Sequence, residues 1–289
     1  MIKIDTSVIA KRIGESIDKI SCEIEPSCLA ALNEAYSKED NPTAKFALQV
    51  MTDNARLAAA EHRPVCQDTG MVVVFVEIGN NVILTGEVLQ KAIDREVEKA
   101  YVTLRKSVLD PVSRINTKTN TPAVVHTSIV EGDDVKVEVM LKGFGSENMS
   151  KIYMLNPAQG LDEAKRLIVE SVRTAASNPC PPVIIGVGLG GTFEKAASMS
   201  KHALFRKIGS SNSDPVLDAL EKELFDKLNA LGIGAQGFGG KTSCLGIFIE
   251  SYPTHISSLP VAINVLCHCS RADAFVIDGK KEGEICRTL

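Results

Sequence analysis

NPCPPVIIGVGLGGTFEKAASMSKHALF, residues 178–205, reads as a turn, a strand, a glycine bend and a helix in close succession. Prolines on both sides of Cys180 end whatever precedes them. Val183 to Val187 is a short run rich in β-branched residues, suited to a buried strand, and Thr192 to Phe205 has helical spacing. A strand leading through a tight bend into a helix is the building unit of α/β architecture.

Working outward, a helix is expected over Leu161 to Ser177 and another over Asp214 to Leu231. A glycine-dense loop, Gly232 to Lys241, then leads to apolar strand-like runs at Ser243 to Ile249, Val261 to Leu266 and Ala274 to Ile277. Toward the N-terminus, Ser7 to Ile20 and Thr43 to His62 read as amphipathic helices. Arg63-Pro64 stops the second of them, and Val65 to Gly70 forms a polar turn before the β-branched run Met71 to Ile78. A helix over Glu87 to Leu104 precedes a long polar loop, Arg105 to Thr121, of the kind that often carries binding residues. Val124 to Val130 and Val135 to Leu141 alternate well enough to pair as a hairpin, closed by Gly143 to Ser146. The expectation is a mixed α/β (α+β) chain forming a single domain over 1–289, with a helical part over about 1–62 and an α/β remainder over about 63–289.

The 289 residues are 44% hydrophobic and 24% charged, with a formal net charge of -4, which is the composition of an ordinary globular protein. Lys and Arg number 32 against 36 Asp and Glu, aromatics are 4% and Trp is absent, so neither a basic field nor stacking platforms point to nucleic acid. No apolar run approaches the roughly 20 residues of a bilayer span, and the first residues lack a basic stretch followed by an apolar one, so a cytoplasmic location away from membranes is expected. Eight cysteines in such a chain suit reduced thiols, metal ligands or nucleophiles better than a disulfide framework.

Two glycine loops invite a nucleotide reading. Gly186 to Gly191 matches G-x-G-x-x-G between strand and helix, although the acidic residue expected about 20 positions on is missing from Gly209 to Ser213; close helix–strand packing is the alternative. Ala235 to Thr242 resembles a relaxed phosphate-binding loop, but it follows a helix and precedes a β-rich run, the reverse of the order that places phosphate on a helix N-terminus. A nucleotide-binding module built on either loop is the rival reading from another class.

The cysteines divide by setting. Cys22, Cys28 and Cys286 lie outside any ligand motif and Cys244 sits within an apolar strand, all four reading as structural. Cys66, Cys180 and Cys267 lie at turns beside Pro, Asp, His or Arg, where a thiolate could ligate metal; buried thiols are the alternative, since their separations match no local metal motif.

The segments Cys66-Gln67-Asp68-Thr69-Gly70, Asn116 to Asn120, Gly143 to Ser150 and Asn178 to Pro182 together resemble the α region of the class I, iron–sulfur-dependent fumarate hydratases and the related tartrate dehydratases. Gly188 to Ala197, Gly237 to Thr242, and His255 leading through Pro260 to Cys267 extend the likeness over almost the whole chain. The resemblance implies a 4Fe-4S cluster held by Cys66, Cys180 and Cys267, with helices and strands arranged around it. With three cysteine ligands, the fourth iron is left open as a Lewis acid. It further implies that Asp68 manages the proton of the substrate hydroxyl, with His255 as its partner. Gln67, Arg105, Gly143, Gly145 and Arg271 correspond to substrate-side positions, the arginine fork suiting a carboxylate and glycine letting backbone N–H groups approach one.

The chain departs from many relatives in two places. The residue after the third cluster cysteine is His268 rather than Trp, in the run Cys267-His268-Cys269-Ser270-Arg271-Ala272, and Cys269 reads as an accidental neighbour. The second residue of the usual Gly-Gly-Gly-Ser loop is Phe144. Nothing after Arg271 resembles the β domain that carries the second proton-transfer group in single-chain relatives. The implied protein is an α subunit completed by a separate β subunit, acting on a small dicarboxylate. The segments 143–150, 190–195 and 239–242 favour fumarate and malate, with L-tartrate or a methyl-substituted dicarboxylate as alternatives. A non-catalytic cluster carrier is the third possibility.

Overall fold

A computed structural model of the chain describes residues 2–279 and the backbone of 285–288. The chain opens with β1 (Ile2–Asp5), α1 (Thr6–Cys22), α2 (Pro26–Lys38) and α3 (Pro42–Glu61). The next elements are β2 (Met71–Gly79), β3 (Val82–Thr85), α4 (Leu89–Ala100), β4 (Val124–Val130), β5 (Val135–Lys142), the one-turn α5 (Phe144–Glu147) and β6 (Lys151–Leu155). Then follow α6 (Gly160–Ala175), β7 (Val183–Gly190), α7 (Phe193–His202), α8 (Pro215–Asn229), β8 (Cys244–Tyr252), β9 (Leu259–Leu266), β10 (Ala272–Ile277) and β11 (Ile285–Thr288). Mixed parallel and antiparallel sheets with packed helices make this an α/β fold, as the sequence reading expects.

The chain divides into two compact units, the first comprising Met1–Glu25, Arg56–Gly143 and Arg271–Leu289. Its sheet runs β11-β10-β5-β2-β4, with β2 and β4 parallel and the other pairs antiparallel. Asp5 caps α1 by accepting from the Ser7 N–H at 2.8 Å, and Ile9, Ile13, Ile17 and Ile20 place one apolar stripe along that helix. The stripe packs with Ile93 and Val97 of α4 onto Val135, Val137 and Val139 of β5.

The expected hairpin of Val124–Val130 with Val135–Leu141 is not formed. Both strands exist, but β2 lies between them, Val74 being opposite Val125 on one side and Val139 on the other. The reason is burial: most of β2 is apolar and shielded, so it takes the central position and both of its ladders.

The second unit, Pro26–Ala55 with Phe144–Ser270, holds the sheet β6-β9-β7-β8, in which β7 and β8 are parallel. Alternation along β7 sends Val183, Ile185, Val187 and Leu189 to one face, where they meet α6 and α8 through Ile168, Val172, Leu220 and Leu224. Gly186 and Gly188 occupy the other face, directly against α7. A Cβ at Gly186 would stand 2.0 Å from the Ser200 carbonyl oxygen, and one at Gly188 would stand 2.1 Å from that of Ala196. These glycines of the G-x-G-x-x-G run therefore lie inside a strand and serve close helix packing.

Candidate active site

In the first unit the site is built on the turn between α3 and β2. Asp68 Oδ1 accepts the Gly70 N–H at 3.0 Å, and Gly70 has φ +76 with its α-carbon pressed against the Leu141–Lys142 backbone, a position closed to other residues. Tyr101 is fully buried at the end of α4 and donates its hydroxyl to the Thr69 carbonyl at 2.8 Å. Asn120 Nδ2 donates to the Gly70 carbonyl at 3.2 Å, while its Oδ1 accepts from the N–H groups of Ser107 and Val108. Thr69 Oγ1 donates to the Arg105 carbonyl at 2.6 Å. The Asp68 turn and the 105–120 loop are thus tied into one piece. Burial pushes the Tyr101 phenol well above its ordinary range, an effect that nearby Arg271 opposes and Asp68 reinforces, so the hydroxyl stays protonated as a donor.

Gly143 is where the acid and the base of this unit meet. A Cβ there would lie 3.1 Å from Asp68 Oδ2 and 3.4 Å from Arg271 Nη2, so carboxylate and guanidinium both stand over bare backbone. Arg271 is 2% exposed and Lys142, whose ammonium donates to the Gly143 carbonyl at 3.4 Å, is 1% exposed. Two buried cations therefore lie close to Gly143, and one of them shares its bare backbone with the Asp68 carboxylate. Gln67, next to Asp68 in sequence, and Arg105 are exposed. Gly145 falls in α5, exposed, with open space where a Cβ would go, so nothing steric requires glycine there.

The candidate residues Cys180, His255 and Cys267 lie in the second unit. Cys180 is exposed with φ +54, its N–H donating to the Ser177 carbonyl at 3.1 Å, and Pro181 accepts the Gln236 N–H at 2.8 Å. Cys267 follows β9 and is partly buried. His268 donates from Nδ1 to the Cys180 carbonyl at 2.9 Å, because a carbonyl can only accept, and its own carbonyl takes the Cys28 thiol at 3.0 Å. Burial pushes the His268 imidazole below its ordinary value, which favours the neutral ring. His255 is exposed; the Ser257 N–H donates to its Nδ1 at 3.2 Å, leaving the proton on Nε2. Asp68 and His255 belong to different units.

By burial, the cysteines divide as an exposed ligand set would require. Of the seven described cysteine side chains, Cys22, Cys28, Cys244 and Cys269 are buried, and those that are not are Cys66, Cys180 and Cys267. Cys244 illustrates the contrast, its thiol pushed up to about 12 by complete burial. Among the described residues no group of three or more His, Cys, Asp and Glu could hold a single metal ion. A cluster differs in that each cysteine binds a separate iron. The side chain of Cys286 lies outside the described residues.

The phosphate-loop reading finds its donors already taken. Glu39, 2% exposed, accepts the N–H groups of Asp40 and Asn41 at 3.0 Å on one oxygen and that of Lys241 at 2.8 Å on the other. Lys241 Nζ pairs with Asp40. An internal carboxylate thus occupies the place an anion would need.

Sequence reasoning missed Tyr101, Lys142 and His268 as parts of the site. Asn120 had a signal, being the last residue of the Asn116–Asn120 segment, and it adopts φ +62, which asparagine tolerates better than most side chains.

Comparison with known proteins shows the family. The family model described as Fumarate hydratase (Fumerase) matches residues 10–276. A putative L(+)-tartrate dehydratase subunit alpha of Methanocaldococcus jannaschii is 40% identical over 250 residues, 83% of this chain and 87% of the relative. The L(+)-tartrate dehydratase subunit alpha of Escherichia coli K12 is 34% identical over 264 residues, 89% of this chain and 87% of that protein. The chain belongs to the class I fumarate hydratase and tartrate dehydratase family of hydro-lyases, as an α-type chain. Among the described residues no helix is long and apolar enough to cross a membrane.

Proposed function

We propose that this chain is the α subunit of a two-subunit hydro-lyase interconverting fumarate and (S)-malate. The observation that carries the reading is the meeting of Asp68 and buried Arg271 over Gly143, an acid–base group beside a fixed carboxylate receptor. Cys66, Cys180 and Cys267 would hold a 4Fe-4S cluster. When bound, such a cluster supplies an open iron, a Lewis acid toward the oxygen of the substrate hydroxyl.

The remaining chemistry falls to side chains. Hydration of fumarate adds hydroxyl to one carbon and a proton to its neighbour, and dehydration reverses both. Asp68 takes or returns the proton of the hydroxyl, with the Nε2–H of His255 as its proton partner. Arg271 and Arg105 bind substrate carboxylate, Gln67 faces the same ligand, and the bare Gly143 allows close approach. Gly145 serves the substrate through its backbone. The proton at the second carbon requires a further group, which we assign to a β subunit; the relatives' designation as subunit alpha supports a separate partner. A cytoplasmic enzyme of central dicarboxylate metabolism fits this chemistry.

A second reading, dehydration of L-tartrate, rests on the relatives' names. The two are separated by co-expressing the chain with its β partner under anaerobic conditions and comparing kcat/KM. The fumarate reading expects fumarate and malate to exceed L-tartrate by about 100-fold, the scale on which one hydroxyl is discriminated. The reverse order would make the protein a tartrate dehydratase, and activity on neither would overturn both readings.

A further inference from the structure

Helix α2 reaches the cluster cysteines of the second unit through a chain of hydrogen bonds that the proposed chemistry does not use. Cys28 is fully buried on α2, and its thiol donates to the His268 carbonyl at 3.0 Å. The imidazole of His268 then crosses to the other cysteine turn, where Nδ1–H donates to the Cys180 carbonyl at 2.9 Å. His268 is covalently next to Cys267. One side chain therefore links the backbones of two proposed ligands that are far apart in sequence. Cys180 itself sits at φ +54, a conformation a cysteine adopts only when its surroundings hold it there. Its N–H is tied to Ser177 and the next carbonyl to Gln236, so the His268 bond adds a third restraint to this turn.

We propose that His268, anchored by Cys28, is a positioning residue that sets the placement of Cys180 relative to Cys267 and so governs retention of the cluster; this rests on the three-cysteine reading above. A hydrogen-bonded partner outside the ligand set is worth roughly 10–100-fold in the affinity of a metal site, a scale on which loss of this bond is measurable.

The test uses anaerobically reconstituted protein and two variants with opposite deficits. His268→Phe keeps a ring but loses the donor, whereas His268→Asn loses the ring but keeps an N–H near the Nδ1 position. The readout is the rate at which mild oxidant converts the cluster to its 3Fe form, followed by electron paramagnetic resonance, with thermal unfolding of the iron-free proteins measured alongside. His268→Phe is expected to lose iron about 10-fold faster than wild type, and His268→Asn to stay within about 3-fold of it. Equal rates in all three, or a fast His268→Asn beside a wild-type-like His268→Phe, would overturn the inference. Nitrogen-15 resonance of the iron-free wild type gives a check independent of the cluster: Nδ1–H on His268 is expected, and an Nε2–H tautomer would overturn the relay. A wild type that takes up no iron would overturn the three-cysteine reading and this inference with it, whereas a stable cluster indifferent to His268 would overturn this inference alone.

Discussion

An Asp68→Asn chain, assembled with its β partner, is expected to hydrate fumarate about 1,000-fold more slowly than wild type while retaining full iron and sulfide. The substitution changes little besides the chemistry. Asparagine has the size of aspartate, and its amide oxygen can still accept the Gly70 N–H that holds Oδ1 at 3.0 Å. What it cannot do is take and return a proton from the position of Oδ2, the oxygen that faces Gly143 and Arg271. General acid–base groups contribute roughly 100- to 10,000-fold, and the middle of that range applies to a group aimed at the bond being broken. The fall should appear in kcat, because the buried guanidinium of Arg271, to which carboxylate binding is assigned above, is untouched. Turnover within 10-fold of wild type would remove Asp68 from the chemistry.

The second large effect concerns stability. Gly188→Ala places a methyl group about where the Ala196 carbonyl oxygen already stands, 2.1 Å from the would-be Cβ. Both partners are backbone, one in a central strand and one in α7, so no rotamer change relieves the overlap and the helix must move off the sheet. Overpacking of this kind costs roughly 3 kcal/mol or more, which lowers Tm by about 5 °C or more for a chain of this size. In parallel, ATP and NAD at millimolar concentration should leave the wild-type Tm unchanged. A tolerated Gly188→Ala together with stabilisation by nucleotide would restore the dinucleotide reading of Gly186–Gly191.

Those glycines show how far the sequence could be read. The strand, bend and helix around residues 178–205 were legible because their signals are local: prolines, a β-branched run and helical spacing. Whether the glycines faced a phosphate or a helix was not, since that depends on where α7 packs. The strands Val124–Val130 and Val135–Lys142 were equally legible, yet their short connection suggested a hairpin. Only the burial of β2, more than 40 residues earlier in the chain, explains why it separates them.

The site divides in the same way. Cys66, Cys180 and Cys267 could be picked out by turn chemistry and by family resemblance, and they are the described cysteines that escape burial. Cys28 lies outside any ligand motif, so the sequence marks it only as structural. Its hydrogen bond to residue 268 is a tertiary fact. Tyr101 likewise looked like the end of an amphipathic helix, and its hold on the Asp68 turn comes from a hydroxyl reaching residues 31 and 32 positions away.

The central claim is that Cys66, Cys180 and Cys267 hold one cluster, and iron with acid-labile sulfide per chain after strictly anaerobic reconstitution tests it most directly. Wild type should bind about four of each, and Cys66→Ser, Cys180→Ser and Cys267→Ser should each lose most of both, with Cys244→Ser unaffected as a buried control. No cluster in the wild type, or a cluster indifferent to the three substitutions, would contradict the account.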